Sequence, residues 1–302
     1  MAFKSLALSL TIFFFTITCN GQTGNGVDII PHWTKNDTHA VKIKSTTTDN
    51  NNGKLQNYTS SFDLQFIVKE VSDSNYKVEW TYTNSKLADN DPVLENQIAA
   101  KLINTKMLIK LSNVGRFAEL LNVEEVRTAA NKAIDELIAG SVANPTMNTQ
   151  YKASKQLIAT KQGLEIALLK QIKFYHFSFG FNYKPDFVKT NNIKFPNPLG
   201  GQPFDAVEKV QLTKLDTKTG ICVIETSKVV DGKILQGSVI EYVKKITNGN
   251  TKAIEEMSKA NLEITENTMH QIDFSKGLVQ KASFKRTMNL GFQNRTTLLE
   301  IE

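Results

Sequence analysis

Apolar and polar positions alternate most clearly between Ala40 and Tyr82. Tyr58, Phe62, Leu64, Phe66 and Val68 share one parity, and Thr59, Ser61, Asp63, Gln65 and Lys69 mostly fill the other. A period of two is that of a half-buried strand, because successive side chains point to opposite faces of the pleat. After Ser72–Asn75 the alternation resumes with Tyr76, Val78, Trp80 and Tyr82, which predicts an antiparallel hairpin. Val41 and Ile43 predict a strand before it, closed by the Asn-rich turn Asp49–Gly53. Met107–Leu111, the turn Ser112–Gly115 and Arg116-Phe117 predict a strand, a turn and a short strand.

Helical spacing then takes over. Asn122 is placed to cap a helix, Glu125 to complete a capping box, and Leu121 to staple against Val126. Val123, Val126, Ala130, Ile134 and Leu137 form an apolar stripe, and Gly140 ends it. A second helical segment spans Tyr151–Lys173, with Leu157, Leu164, Leu168 and Ile172 on one side. From there Tyr175, Phe177, Phe179, Phe181 and Tyr183 alternate with His176, Ser178, Gly180 and Asn182, which predicts a strand. Pro185, Pro196, Pro198, Gly200, Gly201 and Pro203 mark a long irregular connection.

The remainder predicts a hairpin of Val210–Leu215 and Ile221–Val230, a strand over Ser238–Ile246 and a short helix over Thr251–Ala260. A turn-linked pair follows around Asp273–Gly277, reaching Leu290, and Leu298–Ile301 is expected as a closing edge strand. The expected fold class is α+β: a large curved antiparallel sheet of about nine or ten strands with two helices inserted midway.

The start of the chain changes the picture from fold to destination. Lys4 precedes an uncharged run, Ser5–Thr18, that holds Leu6, Leu8, Leu10, Ile12, Phe13, Phe14, Phe15 and Ile17. That is the layout of a secretory signal, and the run is shorter than the ~20 apolar residues of a membrane span. The expected organisation is a signal peptide over 1–19, a flexible mature segment over 20–37, and one β-rich domain over 38–302 with its helical insertion at about 122–173. Two processing outcomes fit. In one, Cys19 is acylated as the first residue of a bacterial lipoprotein; in the other, an ordinary signal peptidase cuts a few residues later and removes it. The other cysteine, Cys222, lies in a Val/Ile-rich stretch and is expected as a small core residue without a disulfide.

Candidate chemistry is sparse. The net charge of +6 favours anionic partners weakly. Export and the lack of a dense basic cluster argue against nucleic acid. No Gly-x-Ser-x-Gly elbow occurs, and Ser74-Asn75-Tyr76-Lys77 straddles a hairpin turn rather than opening a helix. The four histidines show no His-x-x-x-His spacing, and His32, Asp37 and His39 read as an ordinary polar segment rather than a metal site. Glu124-Glu125, Asp135-Glu136 and Glu255-Glu256 read as solvated helix surface. No catalytic residue, metal site or cofactor is assigned.

One stretch stands out. Lys170, Lys173, Lys184, Lys189 and Lys194 surround the alternating aromatics, with Asp186 as the single acid. Aromatic faces beside ammonium groups suit an amphipathic ligand with an anionic head. The candidate ligand-binding residues are therefore Tyr175, Phe177, Phe179, Phe181, Tyr183, Lys173 and Lys184. The bland alternative is a core strand with lysines on its wet side.

The Cys19-Asn20-Gly21-Gln22 exit, the strand and turn at Leu111–Phe117 leading into a helix, the Phe195-Pro196 loop and the turn Ile272–Gly277 together resemble a diffuse group of exported, strand-rich Bacteroidota proteins. The order of elements also resembles the lipoprotein-carrier fold, a curved half-barrel that shelters acyl chains. That likeness is one of architecture and carries over no functional residue. The aromatic, lysine-flanked segment beside the long loop makes the leading expectation a non-catalytic envelope protein that binds an amphipathic or lipid-like ligand in a sheet-lined groove, with any membrane contact made only through an N-terminal lipid anchor. A surface-anchored protein or glycan interaction module and a hydrolase with a dispersed site are the other two functions compatible with the chain. Oligomeric state is not legible.

Overall fold

The computed structural model describes residues 26–51, 54–141, 145–199, 202–291 and 293–302. The expected signal segment and Cys19 lie outside the described residues, as do 52–53 of the Asn-rich turn and Gly200-Gly201 of the Pro/Gly connection. In chain order the elements are β1 (Val27–Asp28), β2 (Thr38–Asn51), β3 (Lys54–Val71), β4 (Asn75–Lys86), α1 (Leu94–Lys101), β5 (Lys106–Ser112), β6 (Phe117–Leu120) and α2 (Val123–Gly140). There follow α3 (Pro145–Leu157), α4 (Lys161–Leu168), α5 (Lys170–Tyr175), β7 (Asn182–Tyr183), β8 (Val188–Phe195), β9 (Phe204–Asp216) and β10 (Ile221–Val230). The chain closes with α6 (Gly232–Ile246), α7 (Thr251–Lys259), β11 (Glu263–Asp273), β12 (Leu278–Asn289) and β13 (Asn294–Ile301).

β2 to β6 and β8 to β13 form one curved 11-stranded sheet in the order β6-β5-β4-β3-β2-β13-β12-β11-β10-β9-β8. The fold class is the α+β, large antiparallel sheet that the hydrophobic alternation predicts. Each half is a meander, and the halves join where β13 pairs antiparallel with β2, as in Ile301 opposite Ile43. β13 is therefore central rather than a closing edge. Its Leu299 and Ile301 are buried on the inner face, so its pattern is the same as an edge strand with one dry side.

Helices α2 to α5 connect β6 at one edge of the sheet to β8 at the other, which carries them across the sheet's inner face. Val126, Ala130, Ile134, Leu164, Leu168 and Ile172 share one buried cluster with Phe62, Phe66, Trp80, Tyr82 and Met107. A separate apolar cluster lies under α6 and α7, where Leu235, Val239 and Val243 meet Phe204, Val230 and Ile264.

Several expectations give way to packing. The second helical segment is three helices, with Thr160 Oγ1 accepting from Gly163 N at 3.0 Å to start α4. A Cβ on Gly163 would stand 1.8 Å from Leu157 O, so only glycine allows α3 and α4 this close. Asn122 sits at the N-cap position of α2, as expected, but its side chain does not accept from the helix's free N–H groups. Its Oδ1 accepts from Leu108 N at 2.9 Å and its Nδ2 donates to Lys106 O and Glu125 Oε2, which ties the helix start to β5. The expected strand at Ser238–Ile246 is part of α6, because Leu235, Val239 and Val243 recur every four residues and Asp231 accepts from Lys233 N and Ile234 N at 2.9 and 3.1 Å. An N-cap of this kind contributes about 1 kcal/mol. The irregular connection contains β8, an edge strand whose sparse apolar content hides it. Of the 20–37 segment, expected to be flexible, residues 20–25 lie outside the described residues, and the rest buries Val27, Ile29 and Trp33, with Trp33 Nε1 donating to Gly277 O at 3.0 Å.

Candidate functional site: an aromatic cleft with a cationic rim

The segment from Tyr175 to Tyr183 is not the predicted strand. His176 N donates to Ile172 O at 3.2 Å, Phe177 N to Phe174 O at 3.1 Å and Phe179 N to His176 O at 3.3 Å, so α5 runs out through a chain of turns. Aromatics at every second position also recur at every fourth, and it is the fourfold spacing that packing uses. Tyr175 and Phe179 are 2% and 0% exposed, whereas Phe177 and Phe181 are 39% and 38% exposed. The first pair packs inward around Trp33, Phe66 and Trp80. The second pair faces a cleft.

That cleft has a volume of 250 Å³, and its lining includes Phe177, Phe181, Tyr183, Phe187, Arg116 and Lys184. Its floor is the edge of the sheet, where Lys189 and Asn191 of β8 stand opposite Val210 and Glu208 of β9, with Leu212 beyond. The roof is pinned from behind. Gly180 N donates to Ile29 O at 2.7 Å, Ile29 N to Phe181 O at 3.1 Å, and Asn182 Nδ2 to Asp28 Oδ1 at 2.8 Å. Tyr183 donates its hydroxyl to Ser178 O at 3.2 Å, and burial raises its pKa above the ordinary phenol value.

Arg116 crosses the roof from the β5–β6 turn. Gly180 adopts φ +76°, and a Cβ there would come within 2.6 Å of Arg116 Cδ, so the missing side chain is what lets the arginine stem pass. The guanidinium carbon then lies 4.3 Å from the centre of the Phe181 ring, within cation–π range. Among the described residues, Arg116, Lys184 and Lys189 form no ion pair.

Among the described residues Glu208 is the one acid of the lining, and it is already engaged. Its Oε2 accepts from Asn191 Nδ2 at 3.0 Å and its Oε1 lies 3.9 Å from Lys228 Nζ. Lys228 is also 3.5 Å from Glu266 Oε2, and Glu266 in turn accepts from Arg286 Nε at 2.7 Å. The register sets these residues in one row across the inner face, Asn191, Glu208, Lys228, Glu266, Arg286, Thr297 and Thr47 on successive strands. This polar row separates the two apolar clusters. Above it, Phe177 stacks on His270 with ring centres 6.0 Å apart, and Lys228 Nζ lies 5.9 Å from the Phe177 ring centre. Burial holds the His270 pKa at about 4, although its Nε2–H donates to Phe174 O at 3.0 Å.

Of the residues singled out in the sequence, the cleft gathers Phe177, Phe181, Tyr183 and Lys184. Tyr175 and Phe179 belong to the core. Lys173 lies elsewhere, with its Nζ 3.2 Å from Glu165 Oε2 and 4.5 Å from the Phe117 ring centre. Arg116, Phe187, Asn191 and Glu208 escaped the sequence reading, and only Lys189 carried a signal, as a member of the lysine run. Among the described residues the lining holds no Ser, Cys or His. Cys222 lies buried in the core, where burial pushes its thiol up to about 12.

No family model matches the chain, and no curated protein matches it. Among solved structures, lipovitellin, in a structure describing its lipid–protein interactions, aligns at TM-score 0.41 and 10% identity over 89% of this chain and 25% of that one. The chain thus spans a quarter of that structure's length. A Bacteroides fragilis protein described as exported, with a YmcC-like fold, aligns at TM-score 0.23 and 9% identity over 91% of this chain and 99% of its own. A domain assigned to outer-membrane lipoprotein sorting in Vibrio parahaemolyticus aligns at TM-score 0.19 and 10% identity over 87% and 84%. Each of these scores is too low to establish a shared fold.

Proposed function

We propose that this is an exported, non-catalytic envelope protein that holds an amphipathic, lipid-like ligand in the cleft between the Phe177–Tyr183 turn and the β8–β9 edge. The observation that carries the reading is the exposure of Phe177, Phe181 and Phe187, at 39%, 38% and 58%, around a shared concavity rimmed by unpaired cations. Exposed aromatics scattered singly are ordinary on a protein surface, but converging ones mark a binding site. The cleft's 250 Å³ lies just below the range of about 300–1,000 Å³ usual for small-molecule sites. Export is supported by Lys4 and the apolar run Ser5–Thr18, with Cys19 as the point of lipid attachment if the lipoprotein route is taken.

The half-barrel of a lipoprotein carrier would shelter acyl chains on its concave face. Here α2 to α5 occupy that face over the N-terminal strands and α6 and α7 cover part of the rest, which moves the opening to the β8–β9 edge. Replacing Phe177 and Phe181 together by Ala tests the reading. Uptake of a fluorescent fatty-acid probe should fall at least ten-fold while the urea midpoint moves little. Equal loss of uptake and stability would mean the pair is only packing.

A second reading, an interaction module, is favoured by one feature of the opposite face. Val207 and Val229 are cross-strand partners left 39% and 49% exposed, with Ile234 of α6 at 40% beside them. A Val229→Lys variant that abolishes co-purification of an envelope protein, with ligand uptake unchanged, would support it.

A further inference from the structure

We infer that the cleft selects a single-chain amphiphile with an oxyanion head, and that Arg116 is the residue that binds that head. This rests on the cleft being a ligand site, and adds to it the class of ligand and the polarity of its binding.

The charges on the lining set the sign. Glu208 is met by Asn191 at 3.0 Å and by Lys228 at 3.9 Å, so its charge is already answered from below. Arg116, Lys184 and Lys189 form no ion pair among the described residues, and Arg116 meets the Phe181 ring instead. A cationic or uncharged head would leave this surplus in place, and an anionic one removes it.

Geometry separates Arg116 from the two lysines. Its stem is fixed where it crosses Gly180, and its guanidinium rests on Phe181 at 4.3 Å. That contact uses no N–H of the guanidinium as a hydrogen-bond donor to another side chain, and among the described residues no side-chain hydrogen bond uses its N–H edges. Those edges form a planar fork that matches a carboxylate or a phosphate monoester through two parallel bonds, which an ammonium cannot reproduce. The same Phe181 ring that carries the guanidinium lines the apolar cleft, so head and chain sites are contiguous. At 250 Å³ the cleft is at the small end of ligand sites, which favours a single chain over the pair of a diacyl lipid.

The experiment is calorimetric titration of the full chain with three probes of equal chain length, each below its micelle concentration: dodecanoate, dodecyl phosphate and dodecyl maltoside. The wild type should bind one or both oxyanion probes at least ten-fold more tightly than the maltoside, and the stronger of the two identifies the head. Arg116→Gln should lose about ten-fold or more on the preferred oxyanion probe and leave the maltoside unchanged, with Arg116→Lys recovering only part. Thermal melts report whether each variant is folded, and Lys189→Gln, on an exposed edge strand, supplies a second charge deletion that does not touch the roof. Maltoside binding as tight as dodecanoate, or oxyanion binding indifferent to Arg116→Gln whatever Lys189→Gln does, would overturn the head assignment and leave the cleft standing as a site. Failure of the wild type to bind any of the three would remove the cleft itself.

Discussion

Arg295 meets Asp49 in a two-pronged contact, Nε to Oδ1 at 2.5 Å and Nη2 to Oδ2 at 2.9 Å, across the seam where the last strand of the sheet pairs with the first long one. Asp49 is almost wholly buried and Arg295 about a third exposed, so the pair is screened on one side only. Removing the arginine strands the carboxylate. Arg295→Met should cost about 1–3 kcal/mol, below the ~3–5 kcal/mol of a fully buried pair. Adding Asp49→Asn should restore much of that loss. Urea melts of both single variants and the double measure it, and strict additivity would show that the contact does not couple the halves.

His176 lies 2% exposed among Trp33, Phe66, Trp80 and Phe179, and among the described residues neither ring nitrogen has a hydrogen-bond partner. Burial depresses its pKa to about 3, with the Gly115 backbone opposing weakly and short of hydrogen-bonding geometry. The unfolded chain therefore takes up a proton near pH 6.5 that the folded chain refuses until about 3, and stability falls as pH drops through that window. His270, held at about 4, acts in the same direction. The urea midpoint should be flat above about pH 7 and decline below it, and His176→Leu should make the decline shallower without lowering the midpoint at neutral pH. An unchanged slope in His176→Leu would mean that the ring finds a partner.

Phe177 and Phe179 are two residues apart and should behave oppositely. Phe179→Ala opens a hole beside Trp33 and should cost about 3–5 kcal/mol. Phe177→Ala, at a partly exposed position, should cost about 1 kcal/mol and act mainly on ligand uptake. Denaturation midpoints and probe titrations on the two variants make the comparison directly. Matching stability losses would place both rings in the core.

Gly180→Ala should be damaging in two ways. The φ of +76° disfavours any side chain, and the new methyl would press on Arg116 and on Val114. A loss of about 1–3 kcal/mol is expected, together with weaker oxyanion binding as Arg116 is displaced. Thermal melts and calorimetry test the two parts separately.

Much of the fold is legible in the chain because β5 and the first two-thirds of β4 alternate between buried and wetter positions, and β3 and β10 do so over long stretches, with turns between the strands. What fails is instructive in physical terms. At Tyr175–Tyr183 a period of two contains a period of four, and hydrophobicity alone does not choose between them; Gly180 and the Ile29 backbone do, by holding a turn. At α6 the β-branched Val239, Ile240 and Val243 mimic a strand, and the Asp231 cap decides for helix. In the cleft, Phe177, Phe181, Tyr183 and Lys184 are contiguous and could be found together. Arg116 comes from the β5–β6 turn and Glu208 from β9, far apart in the chain, and no local pattern marks them, since what unites them is that α2 to α5 carry the chain from one sheet edge to the other.

The most direct test of a cleft that holds an amphiphile is native mass spectrometry on the protein purified gently from its own cell envelope, followed by denaturation of the same sample. A reproducible small mass that is lost on denaturing, ionises as an anion, and is absent from the Phe177→Ala, Phe181→Ala variant is the predicted result. A folded wild-type chain that is empty in every preparation, and that stays empty when offered dodecanoate, dodecyl phosphate or dodecyl maltoside, would contradict it.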